Sequence, residues 1–115
     1  MENISIKIPQ YWQQNETLRQ RPLKNMEMEI PGYSSSYGVV PVGSDGDYHL
    51  DVQIRGERHQ EVTITADKEG LIVLARHLLT LAQDDVPSGC HIHYDEIAFS
   101  GFLDKGSCSM IVNKL

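Results

Sequence analysis

Between Tyr48 and Ala82 the apolar period of this chain changes from two to between three and four, and few folds accommodate that change. Tyr48, Leu50, Val52 and Ile54 alternate with His49, Asp51, Gln53 and Arg55, and Val62, Ile64 and Ala66 repeat the pattern beyond Gly56-Glu57-Arg58. A period of two puts each set on one face of a strand, so the two runs predict a hairpin. From Leu71 the apolar positions continue at Leu74, Ala75, Leu78, Leu79 and Ala82, which is the stripe of an amphipathic helix. Asp67 is placed to cap it, since its carboxylate can accept a first-turn N–H and sits at the positive end of the helix dipole. With Pro87 and Gly89 as stops, the helix is read over about 67–83.

Alternation also flanks this centre. Ile4, Ile6 and Ile8 form one run, and Met26, Met28 and Ile30 another. Between them the polar stretch from Gln10 to Arg21 reads as a loop or one short helix. Cys90, Ile92 and Tyr94 stand opposite His91, His93 and Asp95, and Cys108, Met110 and Val112 opposite Ser107, Ser109, Ile111 and Asn113. Strands with one apolar and one polar face imply an antiparallel sheet covered on one side, and the single long helix is available to cover it. The reading is α+β, one domain over 1–115. Its open face is expected to be acidic, carrying Glu27, Glu29, Asp51 and Glu61.

Charge narrows the function. Sixteen acidic against ten basic side chains leave −6, a surface that repels phosphate backbones and attracts cationic partners, so no nucleic-acid partner is expected. The longest apolar run, Leu71 to Ala75, is far short of the roughly 20 residues that span a bilayer. No apolar segment with a small-residue cleavage site opens the chain, and the expectation is a soluble, cytoplasmic protein without a membrane partner. Two cysteines, Cys90 and Cys108, are too few for a disulfide scaffold; both share parity with core residues and are expected reduced and inward.

The sharpest chemical motif is His91-Ile92-His93-Tyr94-Asp95. On a strand both imidazoles and the carboxylate share one face, and two histidines with a carboxylate suit zinc or non-haem iron. One reading is therefore a small metal-dependent enzyme built on His91, His93 and Asp95. Against it, next-nearest residues on one strand lie about 6.5 to 7 Å apart at Cα, and the companions on offer, His49, His59 and Glu96, form no convincing fourth ligand. The stronger reading is an exposed strand face whose histidines hydrogen-bond locally or contact a partner, with no cofactor. His77 falls off the helix stripe and reads as a solvated or boundary residue. Trp12 reads as a core plug, whereas Tyr33 and Tyr37, flanking a serine run, are contact candidates. No glycine-rich phosphate loop, nucleophile elbow or CxxC pair occurs, and Gly43-Ser44-Asp45-Gly46-Asp47 is too short for an EF-hand loop.

Asp67-Lys68-Glu69-Gly70-Leu71, then Leu74-Ala75, Leu78-Leu79 and Leu81-Ala82, then Gly89, His91, His93 and Asp95, and finally Gly106-Ser107, together resemble a family of small immunity proteins of bacterial polymorphic-toxin systems, immunity protein thirty-two. The resemblance covers about residues 62–115. It implies a non-enzymatic antitoxin that binds a cognate toxin domain, encoded by the adjacent gene, in the cytoplasm. An inhibitor needs only a rigid platform with charge and a few anchors. The residues offered for that contact are Glu27, Glu29, Asp51 and Glu61, the tyrosines Tyr33 and Tyr37, and His91, His93 and Asp95. An assembly or ligand-binding module is a third possibility.

Overall fold

Where both faces of a strand are polar, alternation leaves no trace in the sequence, and the first thirty residues show the consequence. The computed structural model describes residues 1–97 and 101–115, which divide into two units, 1–30 and 31–115. In the first, β1 (Glu2–Gln14) and β2 (Thr17–Ile30) pair antiparallel along their whole length. The stretch from Gln10 to Arg21, read from sequence as a loop or short helix, is instead the far half of this hairpin. Its turn is Asn15-Glu16, both in the left-handed region at φ 50° and 63°, as a two-residue primed turn requires and as asparagine tolerates. The register slips between Ile8 and Gln10, where Pro9 and Pro22 lack an N–H to offer the ladder. Ile4, Ile6, Met26 and Met28 are half-buried, while Asn3, Ser5, Glu27 and Glu29 on the other face are exposed. The unit carries four acidic and four basic side chains, so the whole net charge of −6 lies in residues 31–115.

The second unit contains β3 (Leu50–Arg55), β4 (Glu61–Ala66), α1 (Lys68–Leu81), β5 (His91–Tyr94) and β6 (Met110–Asn113). It bears out the α+β reading of antiparallel strands with one helix. The strands form two-stranded ladders, β3 with β4 and β5 with β6. The bridge between the ladders is irregular chain: the N–H groups of Asp104 and Cys108 donate to the carbonyls of Leu50 and Val52 at 2.8 and 2.7 Å. Leu50, Val52, Leu81, Val86, Ile92, Tyr94 and Leu103 make the core. Each fully buried aliphatic side chain contributes roughly 1.5–3 kcal/mol relative to exposure. Cys90 and Cys108 are half-buried against this core, and both are free. Among the described residues no helix is long and apolar enough to cross a membrane.

The helix begins where its sequence says, with Asp67 accepting the Gly70 N–H at 2.8 Å. Which face it buries is a different matter. Gly70, Val73, His77, Thr80 and Leu81 point inward, while Leu71 and Leu78 of the expected stripe are 53% and 42% exposed. Gly70 explains the rotation. Its backbone lies so close to the His49 carbonyl that a Cβ there would sit 1.9 Å from the oxygen, so the one position without a side chain faces the residue that leads into β3. The placement of His77 as a solvated or boundary residue is corrected: it is wholly buried. The inward polar groups are paired, Thr80 Oγ1 donating to the Arg76 carbonyl at 2.7 Å and His77 using both ring nitrogens, which removes the cost of burying them bare.

Candidate partner-binding surface

The short strand β5 sorts its residues cleanly: Ile92 and Tyr94 enter the core and His91 and His93 stay outside. The two imidazoles meet edge to face with centroids 4.8 Å apart. His91 Nδ1 lies 3.1 Å from the Gly89 carbonyl, which only accepts, so that nitrogen carries the hydrogen. Asp95 is half-buried at the strand's end, its carbonyl accepting the Leu103 N–H at 2.8 Å. Among the described residues no three His, Cys, Asp or Glu side chains are placed to hold a metal ion.

The four carboxylates read as one acidic face do not share a ladder. Glu27 and Glu29 stand on β2 opposite Ser5 and Asn3, within residues 1–30. Asp51 and Glu61 share a face of the β3–β4 hairpin but at opposite ends, opposite Thr65 and Arg55. Asp51 is also committed internally. Its Oδ1 accepts from Ser107 Oγ at 2.7 Å and from Gln53 Nε2 at 3.0 Å, and Ser107 Oγ in turn accepts the Val52 N–H at 3.3 Å. The carboxylate thus clamps the 104–108 segment to β3. Glu61 is exposed at the start of β4.

The tyrosines separate too. Tyr33 packs half-buried against the core, and its N–H donates to Gln83 Oε1 at 3.3 Å. Tyr37 is 83% exposed at the tip of a tight turn in which Gly38, at φ 73°, returns its N–H to the Ser34 carbonyl. Of the two, Tyr37 presents its ring to solvent. Trp12, read as a core plug, lies outside the core on the β1–β2 hairpin, with the Arg21 guanidinium 5.4 Å from its ring centroid.

Several residues that hold this surface in shape left no signal in a pattern of hydrophobicity. Gln83 donates through Nε2 to the carbonyls of Pro31 and Thr80 at 2.9 and 2.8 Å and so fixes the approach to the Tyr37 turn. Glu96 Oε1 accepts the Gly106 N–H at 2.8 Å. His49 Nδ1 lies 3.3 Å from Asp104 Oδ2, and Tyr48 donates its hydroxyl to the Phe102 carbonyl at 3.0 Å. Burial first, and the Asp104 charge second, push the Tyr48 phenol above its usual range, so it stays a donor. The result is a strand face and a loop cluster positioned by backbone-directed bonds.

Residues 61–115 match the family Immunity protein 32. No curated protein and no solved structure matches the chain. The Immunity protein 32 match begins at the first residue of β4 and runs through α1, β5 and β6, so it contains Glu61, His91, His93 and Asp95. Glu27, Glu29, Tyr33, Tyr37 and Asp51 lie before it. The match bears out the resemblance read from the helix start and the Gly89-to-Asp95 strand, and it supports an immunity-protein role.

Proposed function

We propose that this protein is an antitoxin that binds and neutralises a cognate toxin domain of a bacterial polymorphic-toxin system in the cytoplasm, with the toxin encoded by the adjacent gene. The match of residues 61–115 to Immunity protein 32 carries this reading. Neutralisation asks no chemistry of the inhibitor, and a non-enzymatic role agrees with the family's description. The net charge of −6, all of it in residues 31–115, would steer the protein toward a cationic cleft and set it in competition with an anionic substrate. In the second unit the contacts would be Glu61, His91, His93 and Asp95 inside the matched segment and Tyr37 before it, with Asp51 and Tyr33 beside them, tied by their own bonds and packing; Glu27 and Glu29 would be contacts on the separate 1–30 unit. Tyr37 is the anchor best presented to a partner.

Co-expression with the product of the neighbouring gene tests the reading. Growth should be rescued, and the two chains should co-purify one to one in a complex that weakens as salt rises. A toxin that kills equally well beside the folded, fully expressed protein, with no complex at low salt, defeats the proposal.

A further inference from the structure

Among the described strands, every edge is managed except one. β1 and β2 are interrupted by Pro9 and Pro22 and carry Lys7, Arg19, Arg21 and Lys24, residues that blunt an edge against further pairing. The outer edge of β3 is occupied by Asp104 and Cys108, and β5 and β6 are four residues each. Beyond Glu61 at its start, β4 has none of these protections. Among the described residues it pairs only with β3, is exposed along Glu61–Thr65, and from Val62 to Ala66 reads Val-Thr-Ile-Thr-Ala without a charge or a proline. The Asp67 N–H donates to the His49 carbonyl, so by the two-residue period Glu61, Thr63 and Thr65 turn their backbone groups toward β3. The N–H and C=O groups of Val62 and Ile64 therefore point away from it. Their side chains, 65% and 43% exposed, lie on the same face as the core residues Leu50 and Val52, Ile64 directly opposite Val52.

We propose that β4 is a homodimerisation edge, pairing antiparallel with β4 of a second copy across a two-fold axis through Thr63, so that two β3–β4 hairpins become one continuous sheet. The occupant follows from self-complementarity. In this register Val62 meets Ile64 of the second copy and Ile64 meets its Val62, so all outward donors and acceptors are matched and apolar faces apolar. Glu61 faces the second copy's Thr65, Gln60 its Ala66, and His59 its Asp67. A two-fold through Ile64 instead would set Glu61 against Asp67 twice, and like charges directly opposed are destabilising. The charge pattern thus selects the Thr63 register. Pairing across a two-fold also consumes both open edges and closes the assembly.

Sedimentation and cross-linking of the full chain decide the matter. The wild-type protein should shift with concentration from 13.0 kDa to twice that mass. Because each copy carries −6, raising salt from about 50 to about 500 mM should favour the dimer, by screening repulsion, where it weakens a complex with a cationic toxin. Thr63 would occupy a non-hydrogen-bonded pair with itself, Cα atoms about 4.5 Å apart, within disulfide range. Mild oxidation should therefore convert the Thr63→Cys variant to a covalent dimer, at least tenfold more completely than wild type or Thr65→Cys. Ile64→Pro removes a donor that β3 does not use, and Val62→Lys adds a charge at an exposed site; both should sediment as single chains while still folded. The inference is overturned by a monomer at every concentration and salt, or by equal cross-linking of Thr63→Cys and Thr65→Cys. It is equally overturned if the protein alone is monomeric and Val62→Lys abolishes toxin binding, for then the edge belongs to the toxin.

Discussion

His77 and Tyr94 meet in the centre of the core, the Tyr94 hydroxyl lying 3.0 Å from His77 Nδ1. The other ring nitrogen, Nε2, lies 2.8 Å from the Val42 carbonyl. A carbonyl only accepts, so Nε2 carries the hydrogen, Nδ1 is the acceptor, and Tyr94 donates to it. One neutral imidazole thus ties α1 to β5 and to the segment before β3, with Phe102 against its ring at 4.5 Å.

That arrangement has a pH dependence. Burial pushes the His77 imidazole below its ordinary 6.5; the Val42 carbonyl opposes the shift and the neighbouring Arg76 charge adds to it. Between the lowered value and 6.5 the unfolded chain binds a proton that the folded protein refuses, so the stabilisation is complete above pH 6.5 and is lost as pH falls through that window. The loss from this one group is at most about 1.4 kcal/mol per pH unit. Urea unfolding at stepwise pH should show that slope in wild type and a smaller one in His77→Gln. Identical slopes would remove His77 as the cause.

Tyr94→Phe keeps the ring and removes only the hydroxyl, leaving His77 Nδ1 buried without a donor. The expected cost is about 1–3 kcal/mol, read as a lower urea midpoint at unchanged m. A change below the error of the measurement would mean that water or another donor replaces the hydroxyl.

Gly70→Ala separates helix propensity from packing. Alanine is the better helix former by about 1 kcal/mol, yet its Cβ would meet the His49 carbonyl oxygen at 1.9 Å, and backbone cannot yield as a side chain does. Thermal melts should show a net loss of stability. A gain would show that β3 and α1 are free to move apart.

The two tyrosines near the 34–38 turn should separate stability from binding. Tyr33→Ala, which strips a side chain packed against the core, should lower the melting temperature. Tyr37→Ala should leave it unchanged and instead speed dissociation of the toxin complex, costing on the order of 2 kcal/mol if it anchors that interface. Surface plasmon resonance with the neighbouring toxin reads the second effect. Unchanged dissociation would move the anchor elsewhere.

The alternation of Tyr48 to Ile54 and Val62 to Ala66, the cap at Asp67 and the inside–outside order of His91 to Tyr94 were all legible in the chain, because local periodicity and a single side-chain-to-backbone bond determine them. The far half of the first hairpin was not, since Gln13, Gln14, Thr17 and Arg19 are exposed on both faces and polarity there says nothing of conformation. Tertiary structure alone decided which face of α1 is buried. The stripe of Leu71, Leu74 and Leu78 is a property of the helix, but the close approach of Gly70 to His49 turns His77 and Thr80 inward, where partners far away in sequence satisfy His77. The same holds for Asp51, an acidic surface residue in the sequence and a clamp on Ser107 in the fold. Hydrophobic pattern reports what a segment could bury; which polar groups go with it depends on contacts such as those of His77 with Tyr94 and Val42, 17 and 35 residues away, and of Asp51 with Ser107, 56 residues away, which exist only once the chain has closed on itself.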